Sequence, residues 1–214
     1  MTSTDALILD LSANLAPVRR RHALREGALL LALGTTELVL FLAIGLMRPD
    51  MGRMIASPYM LWKLGSLAIL AGIGCMVAIR SFSPIARPRR GLVIALSLAG
   101  AAAIGGAFVA PPGEIGPTLL DRLAPIHGIL CAACIIVLSL PMMAMLAVLM
   151  RNAAPTHPRD SALASGFAAG TCGAFVFAFC CPINDPLYIV VWYSVGCATV
   201  AAAARWLLPR HFRL

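Results

Sequence analysis

Charged side chains are scarce in this sequence: they make up 12% of its 214 residues, whereas apolar residues make up 60%. The mean hydropathy of +0.89 lies far above the values of soluble globular proteins. This composition excludes an ordinary soluble domain and predicts an integral membrane protein. Because residues 1–20 mix charges with sparse leucines, no cleaved signal peptide is expected.

The apolar residues fall into six blocks, each long enough to cross about 30 Å of hydrocarbon as a helix. We therefore predict an all-α integral membrane protein in which residues 19–214 form a bundle of six transmembrane helices. The predicted spans are 27–47, 59–79, 92–110, 126–150, 162–180 and 187–208.

The uneven distribution of basic residues orients the predicted spans. Thirteen arginines fall on one side of the membrane, against three arginines and one lysine on the other. The positive-inside rule then places both termini in the cytoplasm. The same asymmetry accounts for the net charge of +8, so no direct contact with nucleic acid is expected.

Residues 1–18 precede the first span and have a pattern of their own. Leucines recur at every fourth position, which predicts a short amphipathic helix that ends at Pro17. Such a helix docks a protein partner or lies on the membrane surface, and the residues alone leave both options open. Its apolar face consists of Leu7, Ile8, Leu11 and Leu15.

Two ionisable residues interrupt the predicted spans. Glu37 lies near the middle of the first, and Lys63 lies about one turn inside the second. An intramembrane acid marks either a proton or ion site or a structural pair. Lys63 is the partner we consider for Glu37, although their nominal depths differ by more than one helical turn.

Seven cysteines are an odd number, which does not imply a complete disulfide framework. The predicted topology nevertheless gathers several thiols and one imidazole at the outer face of the membrane. They belong to His127, Cys131, Cys134, Cys180 and Cys181. The remaining cysteines are expected to be apolar fillers of helix interfaces; they are Cys75, Cys172 and Cys197.

Cys181 is the strongest candidate for reactivity, because it leaves the bilayer before Pro182 and meets an oxidising space. His127, Cys131 and Cys134 share one helix stripe by their spacing. If spans 4 and 5 are neighbours, Cys131 and Cys181 would be able to form a disulfide or to share a transient soft metal ion. Otherwise both are buried helix residues.

Two other protein classes compete with a sensor. Cys131-Ala-Ala-Cys134 has the Cys-x-x-Cys spacing of a membrane thiol oxidoreductase, but it lies inside a helix, where its thiols lack the usual activation. A small-solute transporter would need charged or broken helices near the midplane, and Glu37 alone supports that class poorly. We therefore expect no enzymatic activity and no cofactor.

Several short motifs, taken in order, resemble the NrsF-type membrane anti-sigma factors, which restrain extracytoplasmic-function sigma factors in proteobacteria. The motifs are M-R-P-D at 47–50, S-P-Y-M-L-W-K at 57–63, S-L-P at 139–141, A-P-T-H-P at 154–158, and C-P-I-N-D-P-L-Y with V-W-Y at 181–193. The resemblance covers nearly the whole chain. It implies a multi-pass protein of the bacterial inner membrane with a short cytoplasmic N-terminus.

The resemblance also implies a function: sequestration of a sigma factor at the membrane until an envelope signal releases it. The family's N-terminal segment maps onto residues 1–18, which we expect to contact the sigma factor. Its paired cysteines map onto Cys131 and Cys181, and this chain carries Cys180 as well. We expect the signal to be an oxidant or a soft metal ion.

Overall fold

The computed structural model describes residues 4–5, 12–13, 22–83, 88–109, 122–123, 125–153 and 155–211. Within these ranges all regular structure is helical, as predicted. The elements are α1 (Ala23–Ala43), α2 (Met51–Met54), α3 (Pro58–Ser81), α4 (Pro88–Val109), α5 (Pro125–Arg151), α6 (Pro158–Phe177) and α7 (Pro186–His211). The predicted docking face of Leu7, Ile8, Leu11 and Leu15 lies outside the described residues.

Five of the long helices, α1, α3, α4, α5 and α7, are long and apolar enough to cross a membrane. Helix α6 has 20 residues but begins with Pro-Arg-Asp-Ser and is rich in glycine and alanine. Fourteen of its residues are buried inside the bundle. Its surroundings are therefore other helices rather than lipid, which removes the need for a strongly apolar surface.

Consecutive long helices run in opposite directions, as contacts at one end of the bundle show. The Ser161 hydroxyl at the start of α6 donates a hydrogen bond of 3.0 Å to the carbonyl of Ser81, at the end of α3. Arg89 at the start of α4 lies 3.4 Å from the carboxylate of Asp160 in α6. We call this the arginine-rich end; it carries Arg25, Arg80, Arg89, Arg90, Arg151, Arg159 and Arg205.

The opposite end of the bundle joins the end of α1, the starts of α3, α5 and α7, and the α6–α7 loop. The backbone N–H of Arg48, which follows α1, donates to the carbonyl of Phe179 at 3.3 Å. The Tyr59 hydroxyl, at the start of α3, lies 3.4 Å from the carbonyl of Ile183. We call this the cysteine end, because it contains Cys131 and Cys181.

Helix α6 occupies the centre of the bundle because its glycines let neighbouring backbones come close. A Cβ atom on Gly166 would lie 2.6 Å from the Cα of Ala201 in α7. One on Gly173 would lie 2.8 Å from the carbonyl oxygen of Ile135 in α5. Small residues at such contacts are the usual means by which helices pack in a membrane, where apolar burial alone gives little driving force.

Helix α1 ends four residues before the predicted limit of the first span, at Ala43 rather than 47. The cause is Gly45, whose φ of 79° is a left-handed conformation that glycine adopts readily. Leu30 is the buried residue of this helix, so α1 packs at the periphery of the bundle.

Replacing Gly166 with alanine should destabilise the bundle. The added methyl group meets the backbone of Ala201, which cannot rotate away, and overpacking of this kind costs on the order of 1–3 kcal/mol. A lower thermal unfolding midpoint of the purified protein in detergent is expected. Gly100→Ala is the control, because a Cβ there meets no atom within 4 Å. Equal midpoints for the two variants would contradict the close α6–α7 contact.

Candidate thiol site at the cysteine end

The loop between α6 and α7, residues 178–185, folds the Cys181 thiol into the bundle. Cys181 is 0% exposed and belongs to an apolar cluster that includes Cys131, Tyr188 and Tyr193. The residue lies beyond the end of α6, as predicted, but its thiol is enclosed by protein instead of facing the oxidising space directly. Reagents therefore reach Cys181 only when this loop moves.

Cys131 and Cys181 interact directly, and both are free thiols in this structure. The Cys131 sulfur also lies 3.1 Å from the hydroxyl oxygen of Tyr188. The neighbouring Cys131 thiol is the main cause that holds the pKa of Cys181 below its ordinary value, and Lys63 adds to this while burial opposes it. Cys181 is therefore the more acidic thiol of the pair.

The register between α5 and α7 is set one turn away from the thiol pair. A Cβ on Gly128 would overlap the indole of Trp192, so only glycine lets this ring pack against α5. The indole N–H donates a hydrogen bond of 2.8 Å to the carbonyl of Leu123. Cys131 lies three residues after Gly128 and Tyr188 lies four before Trp192, so both residues of the Cys131–Tyr188 contact lie within about one turn of this contact between the parallel helices α5 and α7.

A buried arginine ties the 178–185 loop to the connection between α1 and α3. Arg48 is 7% exposed and makes two hydrogen bonds to the Asp50 carboxylate, at 2.7 and 2.6 Å. Its third nitrogen donates to the side-chain oxygen of Asn184 at 3.0 Å and to the carbonyl of Cys181 at 3.4 Å. Residues of the M-R-P-D motif thus contact residues of the C-P-I-N-D-P motif directly.

A second arginine pair holds the other side of the loop. Arg122 donates to both carboxylate oxygens of Asp185, at 2.8 and 2.9 Å. Asp185 also accepts the backbone N–H of Leu187 at 2.9 Å and so caps α7, with Pro186 in its first turn. The hydrogen bond from Arg122 lowers the pKa of Asp185. The pair therefore stabilises the loop at neutral pH and is lost only in acid, as the pH falls through that lowered value.

Lys63 approaches the same loop from α3. Its ammonium is 3.4 Å from the carbonyl of Cys181 and 5.7 Å from the ring centre of Tyr193, and the residue is 1% exposed. The predicted pair with Glu37 is wrong, because Lys63 points to the cysteine end. Neither carboxylate oxygen of Glu37 has a hydrogen-bond partner among the described residues.

With this geometry in place, comparisons with known proteins identify the family. The family model described as NrsF, negative regulator of sigma F, matches residues 11–214. The chain belongs to the NrsF family.

Two curated relatives match this chain along nearly their whole length. The anti-sigma-F factor NrsF of Caulobacter vibrioides is 32% identical, over 95% of this chain and 96% of its own. A protein named "Probable anti-sigma-F factor NrsF" from Azospira oryzae is 29% identical, over 93% of both chains. No solved structure matches the chain.

The other predicted members of the outer cluster do not join the buried pair. His127 and Cys134 are exposed, and Cys180 is half-buried. Because Cys131 points inward while Cys134 points outward, the Cys131-Ala-Ala-Cys134 sequence does not assemble a dithiol. The described residues contain no group of three or more histidine, cysteine or acidic side chains placed to hold a metal ion. A soft ion at this site of the NrsF family member would have two thiolate ligands.

Sequence reasoning missed the residues that hold the pair in place, above all Arg48, Asn184 and Tyr188. One signal was available: Asp185-Pro186 is a typical helix start, which predicts a capped and ordered loop. The partners of these residues could not be identified from the sequence. Arg48 and Asn184, for example, lie more than a hundred residues apart along the chain.

Replacing Arg48 with methionine should expose Cys181. The variant keeps an apolar stem but loses hydrogen bonds from a charged donor, each worth about 1.5–3 kcal/mol, so the loop opens more often. We expect alkylation of Cys181 by N-ethylmaleimide, followed by peptide mass spectrometry, to become at least about tenfold faster. Arg53→Met is the control, because Arg53 is an exposed cation of the same connection. Equal rates in both variants would contradict the role of Arg48.

Proposed function

We propose that this NrsF family member is a membrane anti-sigma factor that holds an extracytoplasmic-function sigma factor at the cytoplasmic face of the bacterial inner membrane. A thiol-reactive envelope signal, either an oxidant or a soft metal ion, releases it. The observation that carries the proposal is the convergence of motifs 47–50, 57–63 and 181–193 on one buried thiol pair. The family's regulatory role favours this function over a thiol oxidoreductase or a transporter.

The proposal includes six membrane spans with both termini in the cytoplasm. Helices α1 and α3–α7 alternate in direction, and the 20 residues of α6 reach about 30 Å, enough for a bilayer core. The burial of α6 in the bundle supports counting it as a span despite its polar start. The arginine-rich end then faces the cytoplasm, and the thiol pair lies near the outer face.

Capture of the sigma factor is assigned to residues 1–18, with Leu7, Ile8, Leu11 and Leu15 as apolar anchors at helical spacing. Helix α1 follows this segment directly and is packed peripherally, with Leu30 as its buried residue. A small movement of α1 therefore disrupts few contacts, which suits a helix that transmits a change to the docking segment.

Release begins at Cys131 and Cys181. A two-electron oxidant would take two electrons from the pair to form a disulfide, with release of the thiol protons that remain, or a soft divalent ion would bind both sulfurs as thiolates and displace those protons. Either reaction changes the charge at Cys181 beside Lys63 and the sulfur separation. The 178–185 loop must then adjust against Arg48 and Arg122, which shifts α5 and α7 relative to α6. The signal acts through its different affinity for the two arrangements.

The double variant Cys131→Ser, Cys181→Ser should bind the sigma factor normally but fail to release it under metal or oxidant stress. Co-purification measures capture, and a reporter transcribed by that sigma factor measures release. Cys134→Ser with Cys180→Ser is the matched control and should respond as the unaltered protein does. Normal induction of the reporter in the Cys131/Cys181 variant would contradict the sensing role of these cysteines. It would not bear on the proposal that the protein captures a sigma factor.

The double variant Leu7→Asp, Leu11→Asp should abolish capture, because carboxylates on the apolar face cannot be buried against a partner. We expect no sigma factor to co-purify with the membrane fraction, while the amount of the altered protein stays the same. Ala13→Asp adds a charge to the opposite side of the predicted helix and should retain the partner. Undiminished co-purification would contradict the role of residues 1–18 in binding the sigma factor.

A further inference from the structure

A second pair of thiols lies in the middle of the bundle, where only apolar filling was expected. The sulfur atoms of Cys75 in α3 and Cys172 in α6 are 3.8 Å apart. Both residues are half-buried free thiols. Cys75 lies twelve residues after Lys63 on α3, about 18 Å further along the helix, so this pair is separate from Cys131 and Cys181.

We propose that Cys75 and Cys172 form a binding site for a soft divalent cation of the Zn²⁺ and Cd²⁺ class. Two sulfurs bound to one tetrahedral ion at about 2.3 Å lie about 3.8 Å apart, which is the separation already present between these thiols. The ion therefore fits between them without a change in the distance between α3 and α6.

Close packing beside the pair keeps this separation constant. A Cβ on Gly74, the residue before Cys75, would lie 3.1 Å from the Cα of Ala168, one turn before Cys172. The backbones of α3 and α6 are thus in contact next to the thiols. A site whose ligands are preorganised loses little entropy when it binds an ion.

A cavity leads to the thiols. It has a volume of about 740 Å³, lies between α1 and the rest of the bundle, and includes both sulfur-bearing residues in its wall. Its wall runs along α1 from Ala23 to Leu38 and reaches Arg80 of α3, so the cavity extends toward the arginine-rich end. An ion would therefore arrive from the end opposite to Cys131 and Cys181.

The charge balance suits a membrane interior. Binding follows the reaction 2 RSH + M²⁺ → M(SR)₂ + 2 H⁺, so the product carries no net charge, as apolar surroundings require. Glu37 lines the same cavity, and neither of its carboxylate oxygens has a hydrogen-bond partner among the described residues. Glu37 does not form a three-ligand set with the cysteines, so its role is to attract the cation electrostatically.

The test uses the full chain, purified in detergent, with alanine in place of the other five cysteines: Cys131, Cys134, Cys180, Cys181 and Cys197. Cd²⁺ is the probe, because its thiolate complexes have a charge-transfer absorption. We expect one Cd²⁺ per chain and the release of two protons per ion. Adding Cys75→Ala or Cys172→Ala should weaken binding at least about tenfold, since each removes one of two ligands. Binding that is absent at first, or unchanged by these substitutions, overturns the proposal.

A second comparison keeps the test decisive if the five-alanine chain does not fold. The double variant Cys75→Ala, Cys172→Ala of the otherwise native chain should bind one Cd²⁺ fewer than the native protein. Cys197→Ala, which removes a single half-buried thiol, should bind as many as the native protein. Equal stoichiometry in the double variant and the native chain overturns the proposal. The result does not depend on the sigma-factor role, because no partner is present.

Discussion

The burial of the Arg48 guanidinium is the constraint on which the cysteine end depends. A charge taken out of water must be paired and hydrogen-bonded, or its burial costs several kcal/mol. Asp50 balances the charge, and Asn184, the carbonyl of Cys181 and the sulfur of Met54 accept from the remaining donors. The α1–α3 connection and the α6–α7 loop are therefore stable only together, and the position of the Cys181 thiol follows from that pairing.

Helix α6 links the two thiol pairs of the molecule. It carries Cys172 in its second half and leads, after Phe177, into the loop that contains Cys181. Its glycines bring its backbone close to those of α5 and α7, and Gly74 of α3 allows the same close approach on a third side. Tightly packed interfaces shift between discrete arrangements more readily than they deform. Under the proposed mechanism, a rearrangement of the 178–185 loop would therefore move α6 as a unit among its neighbours, whereas an ion between Cys75 and Cys172 would leave its position unchanged.

The sequence predicted the long helices, and six of their twelve limits to within two residues, because hydropathy and chain length suffice for that. It misplaced the end of α1, where Gly45 adopts a left-handed conformation, and it paired Lys63 with Glu37. The second error has a physical cause: depth along a helix can be counted from residue numbers, but the direction in which each side chain points depends on helix rotation. Rotation is set by packing, here by contacts such as Gly128 with Trp192.

The sequence by itself determined a helical chain with several helices apolar enough to cross a membrane, a resemblance to one family by its motifs, and the expectation that Cys131 and Cys181 lie at the same end of the bundle. Only the tertiary structure decided that Cys181 is enclosed, that Arg48 and Arg122 hold its loop, and that Cys75 meets Cys172. The reason is that composition and residue spacing give information about one helix at a time, whereas these contacts join residues from different helices. Their partners are selected by the packing of the whole bundle around α6.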